Sequence, residues 1–198
     1  MTKMVVRLMG PGIKPGSQAA LPKTIYRAAD QYARIEDPPD AKQRVEKITI
    51  IRGREAYSID LIDKRGTHTT TEGLSSAPGL PIVLPLDPRR KLGKLDGVEF
   101  GTEARFFEQA GAKKVPGPII NAKQTEEYRL PIPSGTAMLV VRHDSETPVT
   151  LSWKTSEGRY TYEYIQYETM PFEAKVFEKP AGIEWKEIPP DTDSTPNR

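Results

Sequence analysis

The sequence predicts a mainly β protein: a curved antiparallel sheet forming an incomplete half-barrel, with one inserted helix. Three observations carry this. From Arg159 to Met170 the chain places Tyr160, Tyr162 and Tyr164 in alternation with Thr161 and Glu163, the period of a strand with one buried and one wetted face. Proline accounts for 19 of 198 residues, roughly twice the usual share of about 5%, and proline favours turns and strand ends over helix interiors. One segment alone, Asp96 to Ala112, has helical spacing, with Val98, Phe100, Ala104, Phe106, Phe107 and Ala110 apolar and Gly111 as a stop.

Taken in order, Met4 to Met9 predicts a short strand, broken by Gly10-Pro-Gly12 and Pro15-Gly-Ser17. Lys23 to Glu36 reads as two short strand pieces or one bent strand, ended by Asp37-Pro-Pro-Asp40. Glu46 to Arg52 and Glu55 to Ile62 flank Gly53, a hairpin signal. Asp63 to Gly66 then turns the chain into Thr67 to Thr71, so three strands form a meander. From Glu72 to Gly93 the chain turns to Gly, Ser, Pro and Leu, with Pro78, Pro81, Pro85 and Pro88 closely spaced. That many missing donors predicts a long ordered loop or lid, with an edge piece at Ile82 to Leu84. The helix follows, its N-cap either Thr102 or Asp96.

Four more strands are expected at Glu126 to Ile132, Thr136 to His143, Pro148 to Thr155 and Arg159 to Met170. About eight short strands need a nearly closed sheet to hide their edges. The length fits one domain spanning residues 1–188, followed by a polar, flexible tail at 189–198.

Composition excludes several functions. Lys plus Arg number 29 against 27 for Asp plus Glu, so no strong field points to nucleic acid, and no nucleic-acid partner is expected. With no cysteine, disulfides, thiol catalysis and thiolate metal sites drop out together. The first twelve residues are interrupted by Arg7 and are too short for a signal-peptide core or a membrane span.

His68 and His143 are the only histidines. The sequence has no His-Glu-x-x-His and no Gly-x-Ser-x-Gly. Both histidines are expected at surface or strand-end positions, and His143 and Asp144, adjacent on a strand, would point to opposite faces. No catalytic residue, metal ligand or cofactor is expected. The basic run Arg89-Arg-Lys91 with Lys94 reads as a solvated loop, balanced by Asp87 and Asp96.

After the tyrosine strand, Phe172, Val176 and Phe177 follow a proline, and Pro180-Ala-Gly182 ends the run. This end of the chain resembles the LolA/LolB-like lipoprotein-localisation carriers, in which a late strand runs into a Phe-x-x-Pro-x-Gly turn and a last short strand closes an incomplete barrel. The likeness follows element order from about Lys23 to Ile188 and is specific over the last thirty residues or so. Two departures stand out: no helical pattern precedes the first strands, and the proline-rich loop is long. The resemblance implies a non-enzymatic bacterial envelope protein, periplasmic, with a lipid, acyl chain or lipidated protein as ligand. On that reading the chain is a mature portion without its targeting segment; on composition alone a cytoplasmic protein fits equally.

The candidate binding residues are aromatic. Tyr57, Tyr128, Trp153, Tyr160, Tyr162 and Tyr164 fall on expected strands, and Phe106 and Phe107 on the helix. A concave face lined with such rings suits a hydrophobic ligand whose polar end meets a hydroxyl or indole donor; equally, the same rings fill a solid core. The helix and the proline-rich loop are expected to cover this face, with ligand entering beside Phe106 and Phe107, while Phe172, Phe177 and Pro180 dock the chain end onto the sheet. A partner-binding module using an edge strand or the loop is the alternative. A hydrolase comes third and needs an acid or hydroxyl beside His68 or His143.

Overall fold

A computed structural model describes residues 1–29, 31–40, 42–70, 95 and 98–188. Among them lie twelve strands and one α-helix. The strands are β1 (Thr2–Met9), β2 (Lys23–Ala28), β3 (Tyr32–Glu36), β4 (Lys47–Arg52), β5 (Glu55–Asp60), β6 (Arg65–Thr70), β7 (Lys113–Pro116), β8 (Thr125–Ile132), β9 (Gly135–Arg142), β10 (Pro148–Thr155), β11 (Gly158–Thr169) and β12 (Glu184–Ile188), and the helix α1 is Glu103–Gln109. The strands join in one sheet of order β12-β6-β5-β4-β3-β2-β1-β11-β10-β9-β8-β7. The order is linear, so β12 and β7 are its edges and the sheet does not close into a barrel. The β class, the unclosed sheet and the inserted helix are as the sequence predicts.

Local chemistry sets the hairpins. Arg52 pairs with Glu55, leaving Gly53-Arg54 as a two-residue loop. Ile132 pairs with Gly135 across Pro133-Ser134, and Thr155 with Gly158 across Ser156-Glu157. In each case the flanking strands alternate, so the tight loop puts one apolar set on one face.

By contact the chain divides into two compact units, the first formed by Met1, Tyr26–Pro78 and Met170–Arg198, the second by Thr2–Ile25 and Gly79–Thr169. In the first unit Ile48, Ile50, Tyr57 and Ile59 form a buried cluster with Leu61, Ile183 and Trp185 packed against it. A 3-10 turn at Ala174–Phe177 buries Phe177, whose ring lies 5.5 Å from that of Tyr32. The second unit buries Met4, Val6 and Leu8 of β1, Tyr160, Tyr162 and Tyr164 of β11, Leu151 and Trp153 of β10, Leu139 and Val141 of β9, and Tyr128 and Leu130 of β8. These residues alternate along their strands, and α1 packs against β8 and β9.

The structure corrects the sequence reading at several points. Twelve strands replace about eight. The two edges are β7, which carries Lys113, Lys114 and Pro116 and had no expected counterpart, and β12, mostly exposed and charged, which stands where the resemblance implies a last short strand; charge and proline are how edge strands resist further pairing. β12 also pairs with β6 in parallel, unlike its antiparallel neighbours.

The segment Lys23 to Glu36 resolves into the separate strands β2 and β3. The helix is shorter than Asp96 to Ala112: Gly101 has φ 85°, outside helical space, so Val98 and Phe100 are buried ahead of α1 and not within it. The expected stop holds. Gly111, at φ 76°, donates to the Glu108 carbonyl at 3.0 Å while Ala112 donates to that of Phe107 at 2.9 Å, a Schellman ending.

In the clamp, Phe177 is buried but Phe172 is 53% exposed, stacking on Phe177 from outside at 5.9 Å. The proline-rich loop at Glu72 to Gly93, its edge piece and the tail at 189–198 lie outside the described residues.

Candidate functional site

Seven of the eight aromatic candidates belong to the second unit, and four of them, Trp153, Tyr160, Tyr162 and Tyr164, connect with Phe100 in its buried face. Trp153 on β10 stacks on Tyr160 with centroids 5.8 Å apart and lies 5.7 Å from Tyr162. Phe100 meets Tyr162 edge-on at 5.1 Å and Tyr164 at 6.3 Å. The alternation of β11 places its three tyrosines on one side, and the pairing of Trp153 with Tyr160 across the β10–β11 ladder adds the indole. Tyr160 donates its hydroxyl to the Pro11 carbonyl at 3.1 Å. The chain at Gly10 lies so close that a Cβ there would fall 2.3 Å from the Tyr160 ring. Tyr57 is elsewhere, in the first unit, buried at 2% exposure.

The helix packs against β8 and β9 and meets this face at Tyr164. Phe107 is fully buried, with Phe106 beside it at 6.2 Å and half-buried. The Tyr164 hydroxyl donates to Glu103 Oε1 at 2.7 Å, and the same carboxylate oxygen accepts from the Gly101 amide at 2.9 Å. Tyr128 donates its hydroxyl to Glu108 at 2.8 Å and faces Glu146 at 3.2 Å. Burial, followed by the nearby Glu103 charge, pushes the Tyr164 hydroxyl well above the ordinary tyrosine range. Burial alone does the same for Tyr162, so both act as neutral donors at physiological pH. Thr102 is the N-cap, as one of the two expected positions, but its hydroxyl bonds the Glu99 carbonyl at 3.2 Å and does not cap the helix.

Beside this face, Lys114 of β7 bridges Glu126 at 2.6 Å and Glu146 at 3.0 Å, and His143 Nδ1 lies 3.1 Å from Glu126. The Lys114 bond, and after it that of His143, hold the Glu126 carboxyl below its usual range, while the two carboxylates push the Lys114 ammonium up. A cavity of about 530 Å³, lined by Lys114, Val115, Ile119, Thr125, Glu126 and His143 among others, opens here.

His143 is 60% exposed at a strand end, as expected. His68 is not a surface residue. Only 17% exposed, it stacks on Tyr57 at 4.6 Å, with Nδ1 2.6 Å from Glu187 and Nε2 3.7 Å from Glu55. Acids therefore lie within reach of both histidines. The Nε2 of His68 is buried without a hydrogen-bond partner. Among the described residues no group of three or more His, Cys, Asp or Glu side chains is placed to hold a metal, and no helix is long and apolar enough to cross a membrane.

Sequence reasoning missed Glu103, 1% exposed, because its partner Tyr164 is 61 residues away and nothing local marks a helix-start glutamate as buried. It also missed Trp185, for which the alternation of Ile183 and Trp185 with charged neighbours was the available signal.

No family model matches the sequence, and no curated protein does. Among solved structures the chain is similar to an uncharacterized conserved protein from Thermus thermophilus, with a TM-score of 0.55 at 6% identity, over 94% of this chain and 90% of that one. It also matches PNGF-II, TM-score 0.36 at 7% identity, over 95% of this chain and 31% of that one. A LolA superfamily protein from Nitrosomonas europaea matches with TM-score 0.35 at 10% identity, over 90% and 89% of the two chains. What the chain shares with the Thermus thermophilus protein is its fold.

Proposed function

We propose that this is a non-enzymatic binding protein of the bacterial envelope, taking a hydrophobic ligand (a lipid, an acyl chain or the lipidated end of a protein) against the aromatic face of β10 and β11 beneath α1. The observation that carries this reading is an aromatic row on β10 and β11 flanked by a seven-residue helix that packs on β8 and β9 and is held by one buried ring and two tyrosine–glutamate hydrogen bonds, one of them from Tyr164 of the row. A helix this short has little stability of its own. Displacing it exposes Phe107 and frees the Tyr164 and Tyr128 hydroxyls, which then suit the polar end of a ligand whose chain lies on the rings. The placement in the envelope rests on the family resemblance of the C-terminal segment.

One observation favours a second reading: seven of the eight candidate rings are no more than 8% exposed. A core filled in this way fits a scaffold or partner-binding module. Two measurements separate the readings. Mass spectrometry of organic extracts from detergent-free, natively purified protein is expected to find a lipid near one equivalent. A fluorescent fatty acid should accept energy from Trp153 in a Trp185→Phe background. Absence of both signals replaces the carrier reading with the scaffold.

A further inference from the structure

The Lys179 ammonium lies 4.7 Å from the ring centre of Tyr57 and 5.5 Å from that of Trp185, and the two rings meet at 71° with centroids 5.4 Å apart. Two rings turned toward one cation make two walls of a box, the arrangement by which aromatic side chains recognise ammonium groups. We propose that this corner is a binding site for a methylated ammonium group and that Lys179, an exposed side chain, occupies it in the absence of ligand.

The corner is built to stay in place. Trp185 sits over Gly66, its register partner on β6, where a Cβ would fall 2.5 Å from Cζ3 and 2.9 Å from Cε3 of the indole. Glycine therefore makes the notch that sets the angle of the ring. The Tyr57 ring is fixed by its stack on His68, at 4.6 Å and 9°, and His68 is fixed by Glu187. The carboxylates of Glu187 and Glu55 on either side of His68 add negative potential near the rings. The Tyr57 hydroxyl is pushed up to about 12, by burial first and then by its bond to Glu55, so this wall remains a neutral phenol.

A methylated ammonium has an advantage over Lys179 because it is weakly hydrated and loses little on leaving water, whereas a primary ammonium is strongly hydrated. The ligand is either a free methylated amine or a choline-type lipid headgroup, which present the same chemistry. The site belongs to the first unit and does not depend on the proposal for the aromatic face of β10 and β11.

The test uses tetramethylammonium chloride at constant ionic strength, read by the indole N–H resonance of Trp185, assigned with Trp153→Phe. A saturable shift is expected for the full chain, with tighter binding by Lys179→Ala, which removes the competing cation. Followed instead by the ring resonances of Tyr57, which both variants keep, Trp185→Leu should weaken binding about two- to fivefold, the share of one exposed cation–π contact, with Trp185→Phe restoring part of it. Sodium chloride should leave the resonance in place. Flotation with phosphatidylcholine and phosphatidylglycerol vesicles then separates the sources: binding to phosphatidylcholine alone assigns the lipid headgroup, and a tetramethylammonium shift without flotation assigns a soluble amine. If neither the wild type nor Lys179→Ala shows a saturable shift, or Lys179→Ala binds no tighter, the proposal is overturned.

Discussion

The Tyr164 hydroxyl donates to Glu103 Oε1 at 2.7 Å in a buried bond that ties β11 to the first turn of α1. A carboxylate removed from water depends on its donors, and losing one costs more than the bond's net worth. Tyr164→Phe removes a donor and leaves the carboxylate in place, so a loss of about 1.5–3 kcal/mol is expected in denaturant unfolding. Glu103→Gln keeps an acceptor for the same hydroxyl and should cost less. A loss in Tyr164→Phe no larger than the roughly 0.5 kcal/mol typical of a surface change would mean that the pair carries no structural weight.

Alkaline pH should weaken the fold in a definite window. Tyr57 and Tyr128 are pushed up to about 12, each chiefly by burial, and Tyr162 and Tyr164 are pushed up as well. The folded state therefore holds these protons more tightly than the unfolded state, whose tyrosines titrate near 10. Their contribution is complete below pH 10 and is lost as pH rises through the folded values. Unfolding free energy measured between pH 8 and 12 should be level at first and then fall, and Tyr128→Phe should make the fall shallower. An unchanged slope in that variant would show that Tyr128 titrates alike in both states.

The chain end divides its two phenylalanines between core and surface. Phe177 is 1% exposed and Phe172 53%, although both rings lie within 5.6 Å of Tyr32. Phe177→Ala should therefore cost about 3–5 kcal/mol. Phe172→Ala keeps the buried ring and should cost well under half of that. Thermal melts of the two variants decide it, and equal losses would show that Phe172 is as much a part of the clamp as Phe177.

Much of the fold was legible because its signals are local. Gly53 between two isoleucine-rich alternations marks the β4–β5 hairpin, and the strands from β8 to β11 begin and end within a residue of their expected bounds. What escaped was non-local or polar. β7 gains its strand character from pairing with β8, and the charges that protect it as an edge disguise it. Val98 and Phe100 continue the spacing of α1 by coincidence, since both are buried but Gly101 breaks the helix. The rings of Tyr160, Tyr162 and Tyr164 were legible as one face. The bond from Tyr164 to Glu103 was not, because a seven-residue helix carries no signal of which strand receives it.

Gly66 offers a test of how β12 is seated. A methyl group at this position would meet Trp185 Cζ3 at 2.5 Å and Ile183 Cγ2 at 3.0 Å, so one of the two must move. Gly66→Ala is expected to cost about 1–3 kcal/mol, the usual range for overpacking, and to speed amide exchange across Glu184–Ile188. Wild-type exchange in that strand would show that the indole can shift without loosening it.

The cover formed by α1 makes the last prediction. Within the helix Phe106 donates to the Thr102 carbonyl and Ala110 to that of Phe106, both at 2.9 Å, but seven residues cannot sustain such bonds without the sheet beneath. Amides of α1 should therefore exchange by local opening, faster than those of Thr161 to Glu163, which are held in ladders on both sides by β1 and β10. A ligand lying under the helix adds contacts to the closed form and lowers the population of the open one. An acyl-chain detergent below its micelle concentration is thus expected to slow exchange from Phe106 to Ala110 and to quench Trp153, with no effect on β4 and β5 of the first unit. Exchange in α1 that is already as slow as in β11, and unmoved by the detergent, would identify the aromatic face as a sealed core and leave the scaffold reading in its place.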